Sequence, residues 1–102
     1  MARKPETVFR AGKVIPFLKT LKNTASFPIQ QISIRGTTDF ILCCHGIFVG
    51  LELKDDLGSL SSLQEYNLKQ IEKCGGIAMV AYPKNWDEIK MRLKRLDEGE
   101  SG

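Results

Sequence analysis

Two apolar runs of strand-forming residues, Phe40–Cys44 and Ile47–Leu51, flank the dipeptide His45-Gly46. Such runs around a short Gly-containing break predict a β-hairpin. With His45-Gly46 as the turn, Cys44 pairs with Ile47, Cys43 with Phe48, Leu42 with Val49, Ile41 with Gly50, and Phe40 with Leu51. The next rung sets Asp39 opposite Glu52. A four-residue loop keeps this register, whereas a three-residue loop shifts it by one and separates the two acids.

Directly opposed residues on paired strands have Cβ atoms about 5 Å apart, and like charges there repel. Lys54 lies two residues beyond Glu52 and shares its face. Phe40, Leu42, Val49, Leu51 and Leu53 point the other way and form the expected core. Two acids and a lysine at the open end of a hairpin need a compensating partner, and a divalent cation supplies one. Mg²⁺ prefers oxygen ligands and takes one or two carboxylates, with waters and phosphate oxygens completing its shell. The plainer alternative is a surface cluster in which Lys54 merely balances the acids.

The remaining chain predicts an α/β arrangement, a mixed sheet flanked by helices in the order α-β-β-β-α-β-α. Pro5 suits a first helical turn. Val8, Ala11, Ile15 and Leu18 recur at helical spacing, and Pro16 predicts a kink or two short helices. Phe27-Pro28 marks a loop, and Ile29–Ile34 reads as a short strand. Ser61 or Ser62 caps a helix ending near Lys73, which Gly75-Gly76 terminates. Ile77–Tyr82 is an apolar strand, and Trp86–Leu96 is a last helix. Residues 1–96 thus form one domain, and 97–102 a disordered tail.

At 102 residues, a single domain buries a modest core, and dimerisation would add to it. No apolar run approaches the roughly 20 residues of a membrane span, and no signal peptide opens the chain. The expected compartment is the cytoplasm. Cys43, Cys44 and His45 are adjacent, but neighbours on a strand face opposite ways and no C-x-x-C spacing is present, which argues against zinc. The net charge of +3 is unevenly placed, with +6 in residues 1–35. Arg3, Lys4, Arg10, Lys13 and Arg35 are candidate phosphate contacts on such a surface. An ordinary solvated helix face is the alternative.

The ordered series Gly36-Thr37-Thr38-Asp39, Glu52-Leu53-Lys54, Leu60-Ser61-x-x-Gln64 and Gly75-Gly76 resembles the virus-type replication-repair (VRR) nuclease domain of the PD-(D/E)xK superfamily. That superfamily includes restriction endonucleases and Holliday-junction resolvases. The resemblance covers roughly residues 5–82. Thr38 stands where the family commonly has Pro.

The resemblance implies a restriction-endonuclease-like core. It makes Asp39, Glu52 and the Leu53 carbonyl ligands of Mg²⁺ or Mn²⁺, and Lys54 the catalytic lysine. Gln64 would support the site from the following helix. Its place on one helical face with Leu68 and Ile71 agrees, while a capping-box role with Ser61 is the alternative. Glu6 is the only acid before Asp39 and would be a further catalytic or metal-binding group. Its alternative is an acid stabilising a helix N-terminus.

The implied function is endonucleolytic hydrolysis of DNA phosphodiesters by a homodimer. Four-way junctions or related branched DNA are the expected substrate, in a bacterial or phage-infected cell. The alternatives are a nicking or restriction-like nuclease on linear duplex, and a non-catalytic DNA-binding module of the same fold.

Overall fold

The computed structural model describes residues 5–29 and 38–100, the side chains of residues 5 and 6 excepted. Arg3, Lys4, Arg35, the Glu6 side chain and most of the expected strand Ile29–Ile34 lie outside them.

The hairpin forms in the expected register. Strand β2 (Phe40–Cys44) pairs antiparallel with β3 (Ile47–Leu53), with Phe40 opposite Leu51 and Cys44 opposite Ile47. His45 and Gly46 have φ of 49° and 86°. Positive φ at both central residues is the two-residue turn whose twist matches the strands. Gly tolerates that conformation freely, and His is among the residues enriched there.

Strand β1 spans Thr24–Pro28 and pairs antiparallel with β2. This corrects the expectation of a loop at Phe27-Pro28. Pro28 closes a strand at the sheet's edge, where a missing N–H disrupts no ladder. Strand β4 (Ile77–Ala81) lies parallel to β3, which completes a mixed four-stranded sheet in the order β1-β2-β3-β4. A parallel pair needs a crossover, and helix α3 (Ser62–Lys73) provides it.

The chain before β1 is helical in three pieces. Helix α1 (Pro5–Phe9) leads into a π turn (Arg10–Val14), followed by α2 (Ile15–Leu18). Pro16 cannot donate a hydrogen bond, and the residue before it donates five back, from the Ile15 N–H to the Arg10 carbonyl. This extra residue per turn moves the buried stripe. Phe9, Val14 and Leu18 are buried, whereas Val8, expected inward, is 53% exposed.

Helix α4 spans Trp86–Asp97. Its Trp86, Ile89, Leu93 and Leu96 pack with Phe9, Val14 and Leu18 against one sheet face, which carries Phe40, Leu42, Val49, Leu51 and Leu53. Phe9 and Phe17 both meet the Trp86 ring edge to face at 5.5 Å. Helix α3 covers the opposite face over β3. A Cβ on Gly50 would lie 2.5 Å from Ile71 Cδ1 and 3.1 Å from Thr38 Cγ2, so an added methyl group would force these side chains to shift.

The expected start of the tail at residue 97 is also corrected. Asp97 is the last residue of α4 and is buried. Its carboxylate accepts hydrogen bonds from the Asn23 N–H and the Thr24 hydroxyl, both at 2.7 Å, and from the Lys22 N–H. The helix end is therefore tied to the start of β1. Among the described residues, no helix is long and apolar enough to cross a membrane.

Candidate active site

Glu52 occupies β3 on the face covered by α3, where a charged side chain is out of place. It is only 3% exposed. A buried carboxylate is tolerated when it has charged or hydrogen-bonding partners, and Glu52 has both. The Gln64 side-chain amide donates to Glu52 Oε2 at 2.7 Å. Lys54 Nζ lies 3.9 Å from the same oxygen and is itself largely buried.

The two roles considered for Gln64 are filled at once by the two ends of its amide. The Ser61 hydroxyl accepts from the Gln64 N–H, and Gln64 Oε1 accepts from the Ser61 N–H at 3.0 Å, a reciprocal capping box. Because the cap takes the amide oxygen, the amide NH₂ is left facing Glu52. The N-terminus of α3 thereby aims a donor at the carboxylate.

Asp39 directly precedes β2, on the rung after the Phe40–Leu51 pair. Its Oδ2 accepts the backbone N–H of Leu53 at 2.7 Å. A residue within a strand directs its N–H and C=O to the same neighbour, so the Leu53 carbonyl faces the Asp39 side too. The next amide, of Lys54, donates the other way, to the Ala81 carbonyl. Asp39 is thus held beside the Glu52-Leu53-Lys54 triplet.

Arg10 is at the same end of the sheet, although charge distribution alone assigned it to a phosphate-binding surface. Its guanidinium lies 4.6 Å from the centre of the Phe40 ring, and its Nη1 is 4.0 Å from Asp39 Oδ1. Lys13 is exposed on the π turn. The π turn rotates the helix by about one residue's 100°, which no count of helical periodicity in the sequence anticipates.

Among the described residues, no group of three or more His, Cys, Asp or Glu side chains gathers at one point. Cys44 is buried while its neighbours Cys43 and His45 are exposed, as alternation on a strand requires. The donor set at Asp39, Glu52 and the Leu53 carbonyl is made of hard oxygens only. Two carboxylates and a carbonyl would be a sparse ligand set, of the kind Mg²⁺ accepts because it keeps several waters. The residues present fit such an ion.

Comparison of the chain with protein-family models, with curated proteins and with solved structures finds no match.

Proposed function

We propose that the chain is a metal-dependent, structure-specific DNA endonuclease with a restriction-endonuclease-like core. It would act in the cytoplasm as a homodimer on four-way junctions or related branched DNA. The observation that carries this reading is the buried Glu52, held between Gln64 and Lys54, on the strand whose next amide binds Asp39. A carboxylate serving only stability would more simply be replaced by an apolar residue at such a place.

Asp39, Glu52 and the Leu53 carbonyl would hold Mg²⁺ or Mn²⁺. When bound, the ion supplies charge stabilisation at a phosphate and a lower pKa for water. Lys54, one residue past that carbonyl, offsets negative charge on the reacting phosphate. Gln64 keeps Glu52 oriented through its fixed amide. Lys13, together with Arg3, Lys4 and Arg35, would hold backbone phosphates, a contribution that weakens steeply with salt. Glu6 remains a candidate further ligand on the same resemblance to VRR nucleases.

Two features support a homodimer acting on DNA shape. Phe27 and Phe48 are 57% and 45% exposed. Through their partners Ile41 and Cys43, they share the sheet face that α3 covers only in part, and this leaves apolar surface for a second copy. No recognition helix or zinc finger is present among the described elements, so selection by shape is favoured over selection by base sequence.

The test is cleavage of a four-way junction and of a matched linear duplex with Mg²⁺ or Mn²⁺. Preferential cutting of the junction is expected. Equal cutting of both substrates would replace it with a nuclease for linear duplex. Binding without cutting by wild-type protein would leave a DNA-binding module.

A further inference from the structure

Each carboxylate of the candidate site has a cation about 4 Å away, but the two pairs differ in what else holds them. Lys54 directly follows the strand that carries Glu52, two residues on, and Glu52 also has the Gln64 amide. Arg10 reaches Asp39 from another element, across the rim of the sheet. Its Nη1–Oδ1 distance of 4.0 Å is too long for a hydrogen bond. Both side chains are about one-quarter exposed. Arg10 is thus held mainly by its face-on contact with Phe40 and is only loosely attracted by Asp39.

The helix is shaped to bring Arg10 there. The π turn begins at Arg10, whose carbonyl accepts the Ile15 N–H. That single widened turn rotates the preceding residues by about 100° relative to α2. Phe9 consequently enters the core beside Trp86, and Arg10 leaves the helix at the rim beside Asp39. Single-turn π segments are frequent at functional sites.

We propose that Arg10 is the resident counter-cation of Asp39, occupying its field until a divalent ion displaces it. The inference rests on the nuclease reading above. A long, partly exposed pair is readily broken, and Mg²⁺ or Mn²⁺ would bring twice the charge to the carboxylate. Once displaced, the planar guanidinium is a forked donor matched to a phosphate, still anchored over Phe40 a few ångströms from the site. Arg10 is then a positioning residue that tunes metal affinity and substrate placement in opposite directions.

The experiment is Mn²⁺ affinity, read from the electron paramagnetic resonance of free Mn²⁺, for wild type, Arg10→Met, Arg10→Gln, Arg10→Lys and Glu52→Gln, without DNA. Met preserves the stem over Phe40 and removes the charge. Arg10→Met and Arg10→Gln are expected to bind Mn²⁺ roughly two- to fivefold more tightly, the strength of an exposed ion pair. Arg10→Lys should stay near wild type, and Glu52→Gln should lose binding. The neutral variants should also cleave a junction more slowly despite holding metal more tightly, a split that a purely structural role would not produce. Equal or weaker Mn²⁺ binding by both neutral variants would overturn the role given to Arg10 while leaving the nuclease reading intact. Absence of Mn²⁺ binding by wild type and variants alike would overturn both.

Discussion

The two ends of the β2–β3 hairpin each bear on a buried carboxylate, and they treat it differently. At the turn end, Asp97 is surrounded by neutral donors. The Asn23 and Lys22 amides and the Thr24 hydroxyl saturate its oxygens. Its backbone carbonyl accepts from the Asn23 side chain and is 3.3 Å from His45 Nδ1. At the open end, Glu52 faces a lysine and a side-chain amide, with a second acid, Asp39, bound to the backbone amide of the next residue. Neutral donors from three successive residues pin a carboxylate into the fold. A cation at nearly 4 Å and a second acid close by leave one able to exchange partners. Burial is nearly equal at the two acids, so the donor set is what separates the carboxylate that ties the fold together from the one proposed to act in the site.

The largest test of that contrast is a pair of substitutions. Glu52→Gln should lower single-turnover cleavage by about a hundredfold or more, comparable with losing one preorganised electrostatic group, with a urea midpoint close to wild type. Asp97→Ala should do the reverse. It leaves several donors without acceptors and should cost about 2–4 kcal/mol. The melting temperature should fall by roughly 10 °C or more, with cleavage per folded molecule unchanged. Loss of stability in Glu52→Gln and loss of chemistry in Asp97→Ala would erase the distinction.

Glycines sharpen it further. Gly50→Ala pushes against Ile71 and Thr38, and overpacking of this kind costs about 1–3 kcal/mol. Because Ile71 and Gln64 lie on the same helix, this variant should also slow cleavage. Gly46→Ala at φ +86° costs about 1–2 kcal/mol through left-handed strain, and should spare activity. Assays of both variants at temperatures where they remain folded would separate the two ends.

The smallest effect is in pH. Burial pushes the Asp97 carboxyl up, but the Thr24, Asn23 and Lys22 hydrogen bonds and the charge of His45 outweigh it and hold the group below its ordinary value. A carboxylate with a lowered folded pKa stabilises fully above its unfolded value, near ~3.9. That stability is lost as pH falls through the lowered folded value. Acid denaturation of Asp97→Asn should lack this component, and its stability should change less between pH 5 and pH 2 than that of wild type.

The open end was legible in the sequence because its signals are local. Turn chemistry at His45-Gly46 sets the register, and period-2 alternation then assigns Asp39, Glu52 and Lys54 to their places. Ser61 and Gln64 are likewise three residues apart, although only the structure lets one amide serve both the cap and Glu52. The turn end was not legible, since Asp97 meets partners 73 to 75 residues away and closes a chain of charged residues that reads as a tail. Phe27-Pro28 misled for a related reason. Proline signals a loop unless the strand lies on an edge, and edge placement is a tertiary fact. Arg10 was noticed only as charge, because its position depends on the π turn.

The most direct measurement of the central claim is an anomalous-difference map from crystals soaked in Mn²⁺. One strong peak is predicted about 2.0–2.4 Å from carboxylate oxygens of both Asp39 and Glu52, with the Leu53 carbonyl on the same ion. A map with no peak between those two side chains, at Mn²⁺ concentrations that support DNA cleavage, would contradict it.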